Sequence, residues 1–196
     1  MFPTPVGMYI YDQGLTSKEK EYLLDLEQTP NMGNSTSKNN TILRTKSLKA
    51  LKTWLEQSLL AYFDNVHRPH TDVSIQITQS WVNYTQTGQF HHKHRHPNSI
   101  VSGVFFIQSD PNLDKIYFYK PEPQTNLKIK PTSYNDWNSE SWWLEAAPNT
   151  LYLFPSTLDH MVQEVKTEST RVSLSFNTFF KGKVGCESEL TFLEVL

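Results

Sequence analysis

An antiparallel β-sandwich or jelly roll, carried on N-terminal helices, is the fold this sequence predicts, and three observations predict it. Seven segments after residue 72 (73–85, 99–108, 115–120, 141–147, 150–155, 161–165 and 171–180) are rich in Val, Ile, Tyr, Phe and Trp, and turn-type residues bound most of them. Several alternate: in 171–179, Val172, Leu174, Phe176 and Thr178 take one face, and Arg171, Ser173, Ser175 and Asn177 the other. Helical periodicity is confined to the first third of the chain. Strands grouped after helices, without βαβ alternation, predict an antiparallel rather than a parallel sheet.

In chain order, "VGMYIYD" at 6–12 reads as a short first strand. Thr16-Ser17-Lys18-Glu19 is a capping box that opens a helix through about Gln28. The polar stretch 31–41 has no period and reads as a loop. From Ser47 to about Val66, Leu48, Leu51, Leu55, Leu59 and Tyr62 recur at steps of three and four, which predicts an amphipathic helix with one buried face. Residues 121–140 form a long polar insert with prolines and aromatics, of the kind that serves as a lid or stays without regular structure. The apolar tail "ELTFLEVL" predicts an added strand or a dimer contact. The 196 residues therefore read as one domain, with helical support over about 13–66 and a β core over about 73–180.

Composition narrows the function. The net charge is −2 with Lys and Arg scattered, so no basic stripe argues for nucleic acid. One cysteine, Cys186, rules out an internal disulfide and points to a reducing compartment. The N-terminus lacks the basic region and apolar core of a signal peptide, and no run is long enough to span a bilayer. A cytoplasmic protein is expected.

The chemistry is concentrated in "GQFHHKHRHPNSIVSGVFFI", 88–107, where four of the seven histidines fall within six residues. In a strand, His94 and His96 share a face and can grip one metal ion. His160, the other histidine of the strand-rich region, lies between two expected strands that can deliver it to the same point. Three imidazoles on one side of an ion leave the opposite positions open, the arrangement of a catalytic rather than a structural site. His-x-His alone also fits solvent-facing imidazoles. His91 and His92 are adjacent, so at most one is expected to join the site, with His92 facing solvent. His67 and His70 read as structural or exposed, and Asp159 points away from His160 if its segment is extended.

Arg171 and Ser173 share the polar face of the last long strand. A guanidinium matches a carboxylate bidentately, and an inward Arg is costly unless an anion meets it. A dicarboxylate that chelates the metal at one end and meets Arg171 at the other satisfies both groups. The other reading of Arg171 is a surface ion pair with Glu164 or Glu168, of little energetic consequence.

This order of residues resembles the 2-oxoglutarate/Fe(II)-dependent oxygenases, the double-stranded β-helix dioxygenases. Their pattern is His-x-Asp/Glu, a distal His, and an Arg about ten residues later. Gly88 stands six residues before His94, similar to the prolyl 4-hydroxylase pattern Gly-x-x-Tyr-x-x-His-x-Asp, with His91 in the tyrosine slot. "SWVNYTQTGQFHHKHRHPNSIVSGVFFI", "TLYLFPSTLDHMVQEV" and "RVSLSFN" resemble more specifically a branch of marine phages and bacteria, over about residues 78–180. His96 stands where that superfamily usually has the carboxylate.

The resemblance implies a mainly β, cupin-like double-stranded β-helix and an oxygenase using Fe(II), 2-oxoglutarate and O2. The ion would be held by His94, His96 and His160, and the distal carboxylate of 2-oxoglutarate by Arg171 and Ser173. Asn83 and His91 would hydrogen-bond co-substrate or substrate, with Ser102 and Asn177 as inner-face supports and Trp137, Trp142 and Trp143 shaping the mouth. The implied product is a hydroxylated C–H bond on a small molecule or a protein side chain, formed in the cytoplasm, of the host if the protein is viral. A homodimer is compatible. Two other readings remain open. A cupin metalloenzyme that does not use 2-oxoglutarate fits the Gly88 spacing, but Ile100 and Val101 fall where its first motif has Glu. A non-catalytic jelly-roll binding or structural module keeps the fold and leaves Arg171 unexplained.

Overall fold

Strands such as the one over residues 101–108, buried on both faces, need cover on both, and here a long helix covers one face of a sheet while a second sheet covers the other. The computed structural model describes residues 3–69, 72–121 and 129–195. Its elements are β1 (Gly7–Ile10), α1 (Ser17–Leu24), β2 (Gln28–Asn31), β3 (Asn34–Ser37), α2 (Lys49–His67), β4 (Val73–Thr85) and β5 (His91–His94). They continue with β6 (Val101–Gln108), β7 (Lys115–Tyr119), β8 (Ser141–Glu145), β9 (Thr150–Pro155), β10 (His160–Val162), β11 (Arg171–Val184) and β12 (Leu193–Val195). The larger sheet runs β1-β9-β6-β11-β4-β3-β2 with β12 on the far end of β11, and the smaller runs β5-β10-β7-β8. Their strand pairings are antiparallel. From β4 to β11 the chain crosses between two facing sheets at every step except the β7-β8 hairpin, which stays in the smaller one, and this is the expected jelly roll.

Two cores follow from the alternation. Leu51, Leu55, Leu59, Tyr62 and Phe63 of α2 pack on Val82, Phe105, Leu153, Val172, Leu174 and Phe176 of the larger sheet. Each such burial stabilises by about 1.5–3 kcal/mol relative to exposure. Gly103 is required at this layer, because a Cβ there would lie 2.2 Å from the Phe176 ring. Between the sheets, Val104, Phe106, Ile116, Phe118, Phe154, Leu158 and Val162 form the second core. The polar face of β11 looks into this same space, which is what gives the barrel its chemistry.

Several expectations need correction. The capping box of α1 is present, with Glu19 N–H donating to Thr16 Oγ1 at 3.2 Å and Thr16 N–H to Glu19 Oε2 at 2.9 Å. The helix nevertheless stops at Leu24, because Gln28 already begins a strand. The stretch 31–41 is not simply a loop: it contains the turn and second strand of the β2-β3 hairpin, turning at Gly33 with φ +85°. No apolar alternation announced it, because β2 is exposed throughout and β3 is anchored by polar contacts. Ser37 Oγ accepts from Val82 N–H at 3.0 Å, and Asn34 Nδ2 donates to Thr85 Oγ1 at 3.4 Å. The strand expected over 161–165 begins at His160 and ends at Val162. The C-terminal tail does add a strand, with Val195 opposite Gly182. Within the insert 121–140, residues 122–128 lie outside the described residues, as does His70. No helix among the described residues is long and apolar enough to cross a membrane.

Candidate functional site

His94 is the last residue of β5 and His160 the first of β10, and the two are cross-strand partners. Directly opposed residues bring their side chains together, and the ring centroids are 4.4 Å apart. His96 gets there differently. The strand that was expected to carry both His94 and His96 ends at His94, and His96 lies two residues beyond it. Its backbone N–H donates to Ser156 O at 2.9 Å, and a left-handed residue, Asn98 with φ +56°, turns the chain directly afterwards. The result is one cluster in which His94, His96 and His160 each offer a nitrogen, all within 4.8 Å of one another. His96 and His160 are buried and His94 half-buried.

The hydrogen bonds fix which nitrogen each ring offers. His94 Nδ1 lies 2.7 Å from His92 O, and His160 Nδ1 lies 3.0 Å from Leu158 O. A carbonyl only accepts, so each Nδ1 carries the proton and donates it, leaving Nε2 with a lone pair. His96 Nδ1 donates in the same way to Asn177 Oδ1 at 2.6 Å. The lone pairs of His94 and His96 therefore face each other across 3.1 Å between their Nε2 atoms. Two acceptors at that distance repel unless a cation lies between them. Two neighbouring ligands at right angles, each about 2.1 Å from one ion, would be about 3 Å apart.

Burial, reinforced by neighbouring imidazoles, holds these rings neutral. It pushes His96 down to about 4, helped by His94, and outweighs the Asn177 hydrogen bond. It pushes His160 well below the usual imidazole range, with His94 adding to the effect, and lowers His94 as well. Neutral imidazoles with free Nε2 lone pairs are the form that binds a metal.

A hydrogen-bonded chain sets Asn177. Ser99 and Ser102 each meet Ser156 Oγ at 2.8 Å, and Ser102 Oγ donates to Asn177 Oδ1 at 3.3 Å. Ser102 and Asn177 thus support the site from the inner face, as expected. Ser156 was missed as a supporting residue, although it stands in the quoted "FPSTLDH". The Trp81 ring stacks on His96 at 5.7 Å between centroids, and its Nε1 donates to Asn83 Oδ1 at 3.2 Å. Asn83 Nδ2 donates in turn to Ser175 Oγ at 2.9 Å, so both ends of the Asn83 amide are engaged by protein neighbours.

Arg171 is 3 % exposed and lies on the barrel side of β11. The surface pair with Glu164 or Glu168 does not form among the described residues. Its partner is the buried Asp114, whose Oδ1 accepts from Nη1 at 2.8 Å, and Gln163 O accepts from the same nitrogen at 2.8 Å. Asp114 Oδ2 accepts from Asp110 N–H at 2.9 Å. Nothing in the sequence singled out Asp114, a polar residue in a turn. The other terminal nitrogen of Arg171, Nη2, is buried and has no hydrogen-bond partner. A buried guanidinium N–H without an acceptor is costly, and an anionic group brought to it would relieve that cost. Ser173 is buried two residues along the same face. Gln163, whose carbonyl meets the guanidinium, follows His160 by three residues, about 10 Å of backbone if extended.

An open cleft of about 990 Å³ leads to the imidazoles, lined by His91, His92, His94, His96, Trp81 and Asn177 among others. His91 stacks on His94 with centroids 4.5 Å apart. His92 does not simply face solvent: it is half-buried and its ring lies 4.9 Å from His94. Asp159 does point outward, where Arg95 at 3.2 Å and Lys93 at 3.7 Å pair with it. Behind the triad, Phe154 packs on His160 at 4.6 Å. Trp137, Trp142 and Trp143 are exposed, and none of them lines this cleft.

Residues 79–177 match the family model described as putative 2OG-Fe(II) oxygenase, where 2OG is 2-oxoglutarate. No curated protein matches the chain. Among solved structures, HygX from Streptomyces hygroscopicus with nickel, 2-oxoglutarate and hygromycin B bound is similar, with 13 % identity and TM-score 0.60 over 89 % of this chain and 82 % of that one. A Pseudomonas putida prolyl-4-hydroxylase is similar with 13 % identity and TM-score 0.57 over 89 % of this chain and 92 % of that one. The non-heme alpha ketoglutarate dependent epimerase SnoN from nogalamycin biosynthesis has 10 % identity and TM-score 0.62 over 90 % and 78 %. At these identities the likeness is one of fold.

Proposed function

This chain belongs to the putative 2OG-Fe(II) oxygenase family, and from that premise we propose that it hydroxylates a C–H bond of a small molecule or protein side chain, releasing succinate and CO2. The reaction would draw on Fe(II), 2-oxoglutarate and O2: O2 is the oxidant, an ion held at the site would activate it, and oxidative loss of CO2 from 2-oxoglutarate would supply two of the four electrons, the C–H bond the other two.

The chain's own part is to hold, orient and keep dry. His94, His96 and His160 hold the ion through Nε2, and the carbonyls of His92 and Leu158 with Asn177 Oδ1 fix the three rings. None of the three is an acid, so the 2-oxoglutarate dianion complements the charge of the ion, and metal and co-substrate strengthen each other's binding. Arg171 Nη2 and the Ser173 hydroxyl take the distal carboxylate. His91 hydrogen-bonds co-substrate or substrate from the cleft wall, while Asn83 acts through the positions of Trp81 and Ser175. Phe118 and Phe154 close the rear against water. Hydroxylation is supported by the spacing of Gly88, His91 and His94, similar to that of prolyl 4-hydroxylases. Exposed Cys186 fits a reducing, cytoplasmic setting.

The observation that carries this reading is the pair of opposed Nε2 lone pairs at 3.1 Å, an arrangement that calls for a cation. The test is anaerobic titration of Fe(II) with 2-oxoglutarate. A weak visible charge-transfer band is expected. Metal binding without the band would indicate a cupin of another activity, and neither would leave a non-catalytic module.

A further inference from the structure

β5 carries a second group of imidazoles, which shares only His94 with the triad. His91, His92 and His94 each offer a nitrogen, and these lie within 4.8 Å of one another. In a flat strand His91 and His92 would point to opposite faces. The pairing of β5 with β10 shifts register between His160 and Val162, and both rings lie close to His94. Ring centroids are 5.5 Å apart for His91 and His92, 4.5 Å for His91 and His94, and 4.9 Å for His92 and His94. All three line the cleft and are half-buried, whereas His96, which also lines it, and His160 are buried.

These rings have little structural duty. The nitrogens of His91 meet no hydrogen-bond partner among the described residues. His92 Nδ1 meets only Met32 O, at 3.3 Å, which leaves its Nε2 free. Three imidazoles suit Zn(II), and a nitrogen-only site, the triad included, ranks Zn(II) above Fe(II).

We propose that His91, His92 and His94 form an auxiliary Zn(II) site at the mouth of the cleft, sharing His94 with the triad. His94 Nδ1 is tied to His92 O, and its Nε2 faces His96, so this ring serves one ion at a time. Zinc at the mouth withdraws His94 from the triad and loosens the ion there. The site is then a brake on iron loading, a consequence that rests on the oxygenase reading, whereas zinc binding itself does not.

Equilibrium dialysis of the full chain against Zn(II) tests the site. Wild type is expected to hold about one ion, because the two positions exclude each other. His160→Ala breaks the triad alone and should still hold about one. Adding His92→Ala should weaken zinc binding by on the order of 10- to 100-fold or more, with circular dichroism checking that each variant is folded. Loss of zinc in His160→Ala, or equal retention by both variants, overturns the proposal. The brake has its own readout: with Fe(II) and 2-oxoglutarate loaded, less Zn(II) should bleach the visible band in wild type than in His92→Ala. Equal bleaching overturns the shared ligand. Absence of the band in both proteins sinks the oxygenase reading and leaves the dialysis result standing.

Discussion

Arg171 Nη1 lies 2.8 Å from Asp114 Oδ1, and both side chains are almost wholly buried. Burial works to lower the guanidinium's pKa, and Asp114 opposes it. Asp114 takes one terminal nitrogen and leaves the other buried without a partner. The carboxylate thus neutralises the arginine and also aims it.

A buried pair of this kind costs more to break than to remove. Arg171→Leu and Asp114→Leu should each lower the unfolding free energy by about 3–5 kcal/mol, because each leaves an uncompensated buried charge. The double variant should be more stable than the sum of the two losses implies. Urea unfolding of all four proteins measures the coupling, and strict additivity would mean that the pair does not interact.

Arg171→Lys keeps the charge but loses the planar fork that meets both Asp114 and a second carboxylate. The 2-oxoglutarate requirement should rise about 10- to 100-fold, the loss of one charge-assisted bond of about 1.5–3 kcal/mol. Fe(II) affinity without co-substrate should be unchanged. Succinate formation against 2-oxoglutarate concentration gives the first value and anaerobic metal titration the second.

The triad should respond in grades. His160→Ala removes a donor and should abolish stoichiometric Fe(II) binding while the domain stays folded. Asn177→Leu removes only the acceptor that orients His96, and should weaken Fe(II) about 10- to 100-fold. Equal loss in both variants would mean that Asn177 is needed for folding of the site rather than for ring orientation, which circular dichroism of the metal-free proteins would reveal.

How much of this was legible depended on whether a signal was periodic. The face of α2 formed by Leu51, Leu55 and Leu59 and the alternation of β11 are written in the spacing of side chains, and the structure uses both. The β2-β3 hairpin was not legible, because Asn34 and Ser37 hold it through hydrogen bonds that leave no apolar pattern. At the site, the gathering of His94, His96 and His160 was readable, but the local reason for it was not. His96 reaches the cluster through a bond to Ser156 O beyond the end of its strand. Asp114 was invisible because a turn aspartate looks the same in sequence whether it faces water or a buried arginine.

Acid should unfold the metal-free protein through these imidazoles. In the unfolded chain a histidine titrates near the ordinary imidazole value of about 6.5, whereas folding pushes His96 down to about 4 and lowers His94, His160 and His91 as well. A histidine held neutral contributes its full stability above the unfolded pKa, and loses it as pH falls toward the folded one. For His96 alone that difference is about 3 kcal/mol, and the other three rings act in the same direction. The melting temperature of the metal-free protein should therefore be level above about pH 7, and fall steeply from pH 6.5 toward 4.5. His160→Ala should flatten the fall, because one of the buried rings is gone. Saturating metal should move the fall to lower pH, since protons must then compete with the ion for Nε2. A metal-free melting temperature that stays level down to pH 4.5 would mean that the four rings are solvated, and the site would not have the dry, neutral character described above.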